Sequence, residues 1–162
     1  MRTIIKFIDN SLAWALILAM SGILLAVIWQ VISRYLLQDP ASVTEELSRF
    51  ILIWIGILGA AYAYRQKAHL GFNLIVDKQS ETVRKAMLTL VELLVVTFCV
   101  MVLLFGGAAL VNLTLELDQV SAALGIQMGW IYSVLPISGA LMIFYGIINI
   151  YNLWLDASQE PL

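Results

Sequence analysis

Apolar positions dominate four stretches of this sequence, and short clusters of charge separate them. The stretches run from Asn10 to Ser33, from Phe50 to Tyr64, from Ala86 to Leu115 and from Gln119 to Leu155. The last is densely apolar only from Trp130 to Trp154. A helix needs about 20 mostly apolar residues to cross a hydrocarbon layer about 30 Å thick. The pattern therefore predicts an all-α integral membrane protein, one domain with four spans at about 10–35, 47–65, 86–112 and 130–154. The second run is the shortest, and Arg49 and Arg65 bracket it, both long enough to reach the interface. Its helix is expected to start near Ser42. Asp39-Pro40 ends the first helix there, and Ser42-Val-Thr-Glu45 fits a capping box. This places a short amphipathic helical segment before span two, with Glu45 and Arg49 one turn apart on one face.

The first run has a basic start at Arg2 and Lys6, but its apolar stretch is longer than that of a signal peptide. No small-x-small cleavage pattern follows it, so it reads as an uncleaved span. Basic residues then set the orientation. Arg2, Lys6, Arg65, Lys67, Lys78, Arg84 and Lys85 fall on one side of the membrane, and only Arg34 and Arg49 on the other. Both termini are expected to be cytoplasmic. Trp14 and Trp154 then lie near the inner face and Trp29 and Trp130 near the outer, whereas Trp54 belongs to neither belt so clearly.

Composition narrows the function classes. The chain of 162 residues is 62% apolar and 12% charged, against about 45–50% and 25% in soluble domains. A soluble enzyme and a disordered tail are excluded. The net charge of −2 leaves no basic patch for phosphate backbones, so no nucleic acid is expected as a partner. Cys99 is the only cysteine and His69 the only histidine. An internal disulfide, a zinc cluster built from these two and a bis-histidine haem are therefore out of reach, and no catalytic residue, metal or cofactor is expected.

Glu92 is the only charge deep inside a predicted span. A carboxylate there is costly and is a functional hypothesis by default, here proton or cation coupling. The alternative is an acid that faces a partner or reaches the headgroup region. Cys99 reads as a packed thiol, and Gln30 as a donor to a neighbouring helix. Asn149 and the other asparagines sit mostly near helix ends, where headgroups and caps take up such side chains. Gly56 and Ala60, and beside them Gly59 and Ala63, form small-xxx-small pairs that let helices approach closely. Gly106–Ala109 and Ser138–Ala140 offer further surface of this kind, and Pro136 is a candidate kink. No phosphate loop, metal cluster or pair of interrupted helices is visible.

Ser42-Val-Thr-Glu45-Glu46-Leu-Ser-Arg49-Phe50 continues through Trp54-Ile-Gly56-Ile-Leu-Gly59 to Tyr64-Arg65-Gln-Lys67-Ala-His69. This stretch, with Arg34-Tyr35 before it, closely resembles the small membrane subunit, DctQ type, of tripartite ATP-independent periplasmic (TRAP) transporters. The resembling pattern is a Glu-Glu pair before span two, a downstream Arg, a Gly-rich span and a basic segment closing on His. The resemblance implies a non-catalytic scaffold in a bacterial inner membrane, embedded among phospholipids. It implies pairing with a large membrane subunit that holds the substrate and sodium sites, and a periplasmic binding protein that delivers the substrate. The chain ends at Leu162, so the large subunit is expected to be a separate chain. Organic acids are the implied substrates, with sialic acid and C4-dicarboxylates foremost, taken up on an ion gradient without ATP. By resemblance, Glu45, Glu46 and Arg49 order the first-loop helix or contact partners at the outer boundary. Arg65, Lys67 and His69 anchor the inner end of span two. Capping, snorkelling and orientation are the plainer reading of the same six residues.

Two other classes stay open at this point. One is a self-sufficient, proton-coupled antiporter homodimer using Glu92. The other is a membrane-embedded redox or lipid enzyme, for which one Cys and one His leave few options.

Overall fold

A computed structural model describes residues 2–39, 41–66 and 80–156. Lys67 and His69, expected to anchor the inner end of span two, lie outside the described residues.

Helix α1 covers Arg2–Ile32 and runs on through a π-helical turn, Ser33–Leu37. Helix α2 is Ser42–Arg65. Helix α3 is Glu81–Glu116, with a π-helical stretch at Cys99–Gly106. A short helix α4, Met128–Tyr132, leads into α5, Val134–Asp156. In a lipid layer each backbone polar group must be satisfied within its own segment, which is why apolar runs of this length become helices. Four segments are long and apolar enough to cross a membrane: Ile5–Leu37, Ser42–Arg65, Glu81–Glu116 and Met128–Trp154. They contain the four predicted spans, and the described residues hold no strand beyond an isolated bridge between Val120 and Gln127.

The helix starting at Ser42 is unbroken to Arg65, so the amphipathic segment is the first turn of α2 itself. The capping box does not form. Ala41 takes the cap position and Ser42 is already helical, too far along to cap. Thr44 Oγ1 donates to the Ala41 carbonyl instead (2.9 Å). Glu45 turns away towards two guanidinium groups.

The fourth span is interrupted at Ser133, between α4 and α5. Pro136 explains the break: its ring has no N–H for the Tyr132 carbonyl and crowds it. Sequence reading had placed a kink here but not two helices.

The helices pack in the order α1–α2–α5–α3, with α1 and α3 at the two ends of the row. The buried core comes mainly from the middle, and includes Ala61, Cys99, Val134 and Tyr145. Close approach is concentrated between α3 and α5. A methyl group at Gly139 would lie 2.9 Å from Leu103 Cβ, and one at Gly146 only 2.5 Å from Val96 Cγ2. Gly56 and Gly59 behave differently: a methyl at either would meet nothing within 4 Å. Neither glycine of the α2 small-residue face is therefore closely packed against another described residue.

Candidate functional site

Polar side chains gather at two levels of the molecule. The first level lies at the end that holds both termini. Asp9 of α1 pairs with Arg65 of α2, with the guanidinium Nε donating to both carboxylate oxygens at 3.1 and 3.3 Å. Tyr145 of α5, fully buried, donates to the same carboxylate at 2.8 Å. The Arg65 guanidinium also lies over the Tyr145 ring, 5.6 Å from its centroid. One residue earlier on α2, Tyr64 donates its hydroxyl to Glu92 of α3. Asn149 of α5 donates to the other Glu92 oxygen at 3.2 Å. Every spanning helix contributes to this belt.

The belt gives Glu92 its surroundings. Its partner Tyr64 adjoins Arg65 at the end of α2, so Glu92 lies near the same boundary. It has two hydrogen-bond donors from two other helices and no basic partner among the described residues. Asn149, expected among headgroups, is one of those donors.

The second level lies at the end where α1 stops and α2 starts, together with the 117–127 loop. Gln30 donates to the Thr44 carbonyl at 2.8 Å and to Ser48 Oγ at 2.7 Å, the interhelical bond its position suggested. From Asp9 to Gln30 α1 rises about 32 Å, close to the hydrocarbon thickness of about 30 Å. The two α1–α2 polar links are therefore about one hydrocarbon thickness apart. Trp54, which fitted neither aromatic belt, donates to the Ile131 carbonyl at 3.0 Å and ties α2 to α4.

Glu45 and Glu46 separate at this level. Glu45 faces Arg34 at 3.7 Å and Arg49 at 3.6 Å, all three well exposed. Glu46 reaches across to the third loop. Its carboxylate accepts from Ser121 Oγ (3.0 Å) and from the backbone N–H groups of Ala122 (3.1 Å), Ala123 (2.8 Å) and Leu124 (3.0 Å). Four converging donors make a cradle for an anion, and Glu46 fills it. The loop is closed on itself by Ser121 N–H to the Ile126 carbonyl (2.8 Å) and Met128 N–H to the Gln119 carbonyl (2.8 Å). Gly125 turns it with a positive φ of 66°.

The profile of the family described as tripartite ATP-independent periplasmic transporters, DctQ component, matches residues 23–156. The chain belongs to the DctQ family. It is therefore a small permease subunit of a TRAP transporter, a multi-pass membrane protein and not an enzyme. It is similar to the sialic acid TRAP transporter small permease protein SiaQ of Vibrio cholerae, at 29% identity over 91% of this chain and 84% of that protein. It is 30% identical over 86% of its length to the sialic acid TRAP transporter permease protein SiaT of Haemophilus influenzae, of which it spans only 22%. The isethionate TRAP transporter permease protein DctMQ of Oleidesulfovibrio alaskensis is 29% identical over 78% of this chain, again only 21% of that protein.

Within this DctQ chain, the motif residues Glu45, Glu46, Arg49 and Arg65 all hold definite partners. At Gly56 and Gly59 an added methyl meets nothing within 4 Å among the described residues. Sequence reading missed Asp9, Tyr64, Tyr145 and Asn149. Asp9 borders the first apolar run and Tyr64-Arg65 closes the second, so aligning the two helices from their common boundary would have paired them. Nothing along the chain singles out Tyr145.

Proposed function

We propose that this DctQ chain is the non-catalytic scaffold of a sodium-gradient-driven uptake system for organic acids in a bacterial inner membrane. It pairs there with a large membrane subunit carried on a separate chain and works with a periplasmic substrate-binding protein. The observation that carries this reading is the pair of polar belts. They tie the four helices together at both boundaries, while the apolar length between them stays broadly exposed, as at Leu24, Leu25, Leu94 and Met101. A unit tied at both ends, with an open apolar surface and no buried side-chain polar atom left without a partner among the described residues, suits support, not transport. The long further stretch in SiaT and DctMQ beyond the part this chain matches supports a large covalent or non-covalent partner. The open Gly56–Gly59 face of α2 is the proposed seat for a closely packed helix of that partner.

The basic-residue distribution supports cytoplasmic termini, which sets the Glu46-clamped loop and the Arg34–Glu45–Arg49 cluster on the periplasmic side. That surface is the proposed contact for the binding protein. Sialic acid is the favoured substrate, from the relatives in Vibrio cholerae and Haemophilus influenzae; isethionate and C4-dicarboxylates are the next candidates. The antiporter alternative needs a free acid, and Glu92 is engaged by Tyr64 and Asn149.

Affinity purification in mild detergent, with mass spectrometry of what co-elutes, tests the reading. A stoichiometric, much larger multi-span membrane protein is expected. A pure homo-oligomer that transports by itself would overturn it.

A further inference from the structure

The Asp9–Arg65 pair lies beside an open groove of about 510 Å³ on the α1–α2 side of the molecule. Lys6, Phe7, Asp9, Asn10, Ala13 and Tyr62 line it. The Asp9 carboxylate is taken up by Arg65 and Tyr145. The Lys6 ammonium, the Asn10 amide and the Tyr62 hydroxyl have no partner among the described residues, although each can donate. With Asp9 neutralised by Arg65, the groove carries one positive charge uncompensated among the described residues. It sits at the level of the terminal-end belt, which is a membrane boundary by the spacing of the two α1–α2 links. Phe7, well exposed, and Ala13 give its walls an apolar part.

We propose that this groove seats the headgroup of one membrane phospholipid. Lys6 pairs with the phosphodiester, Asn10 and Tyr62 hydrogen-bond to its oxygens, Phe7 flanks the headgroup, and Ala13, one turn further in, lies against the upper part of an acyl chain. A phosphodiester supplies one negative charge and several acceptors, which is what three unpaired donors and one net charge lack. A phospholipid is favoured over free phosphate because the groove lies at a lipid boundary and has apolar walls. The site depends on the chain spanning a membrane and not on which leaflet it faces or which subunit it joins, so it can fail while the scaffold reading stands.

The test is native mass spectrometry of the protein purified in mild detergent with whatever chains accompany it. The wild type is expected to retain one phospholipid per chain. Lys6→Glu is expected to cut the retained fraction at least about fivefold, the effect of roughly one basic residue at a lipid surface. Tyr62→Phe, which keeps the ring, should also lower it. Lys85→Gln, a charge loss elsewhere on the same chain, should leave it unchanged. After delipidation, added phosphatidylglycerol or phosphatidylethanolamine should rebind, whereas a galactolipid should not. Equal retention in Lys6→Glu and wild type would overturn the proposal. So would displacement of the lipid by inorganic phosphate, or photo-crosslinks from position 6 that reach a co-purified protein and no lipid.

Discussion

Asp9 and Arg65 meet at 3.1 Å although one lies near the start of α1 and the other closes α2. Each is about a quarter exposed, so the pair is partly shielded from water at a membrane boundary. Tyr145 makes it a three-helix junction. Without the pair, α1 would be held to the rest of the molecule at this end by apolar contact alone, which in lipid gives little preference over contact with acyl chains.

A charge swap tests that junction. Asp9→Leu leaves Arg65 without its anion and should lower the thermal midpoint and loosen α1, whereas Asp9→Arg with Arg65→Asp should recover most of the loss. Thermal melts in detergent read the difference. Equal melting of the wild type and both variants would mean the pair holds nothing.

Glu46→Gln replaces an acceptor-only carboxylate with an amide whose oxygen can take only one of the two carboxylate positions, so its NH₂ faces at least the Ala122 N–H and the charge is lost. The loop cradle should open, and the amides of Ala122, Ala123 and Leu124 should exchange hydrogen about tenfold faster or more, as local openings become cheap. Amides in the middle of α2 should not change. Uptake should fall more than membrane abundance if the loop surface serves the binding protein.

Glu92→Gln keeps an oxygen for one donor and removes the charge. Ion-coupled uptake should stay largely intact. Stability should drop by about 1 kcal/mol, the scale of interhelical hydrogen bonds in lipid. Tyr64→Phe should cost a similar amount, and the double variant should cost less than the sum, since both remove one contact. Complete loss of coupling in Glu92→Gln at normal abundance would return the acid to an ion-carrying role.

Two glycines should respond in opposite ways. Gly146→Leu drives a side chain into Val96 and the Tyr64 hydroxyl, and should destabilise the chain by about 1–3 kcal/mol or more. Gly56→Leu meets open space and should leave the fold intact while weakening association with the large subunit. Melting temperature reads the first and co-purification yield the second.

Orientation is checked by single cysteines in a Cys99→Ala background. Thiol labels that cannot cross the membrane should reach position 122 from the periplasm and position 84 only after the membrane is opened. The reverse pattern would invert the chain.

The sequence by itself determined the four spans, because lipid leaves a long apolar run no stable state but helix. It also determined the family, since the Glu45-Glu46 to Arg65 stretch is local and survives as a linear pattern. Most helix ends were legible within about five residues, although α1 begins at Arg2, well before the predicted span; Gln30 was legible because a lone polar group near a span end has few outlets other than a neighbouring helix. Only the tertiary structure decided which side chains meet. Asp9 finds Arg65 and Tyr145, and Glu92 finds Tyr64 and Asn149, through the order α1–α2–α5–α3. That order brings the last helix between the second and third, which no local pattern encodes. The same order assigns close packing to Gly139 and Gly146 and leaves Gly56 and Gly59 open. Small-residue spacing marks a surface able to come close, but the partner that fills it depends on the neighbouring helix.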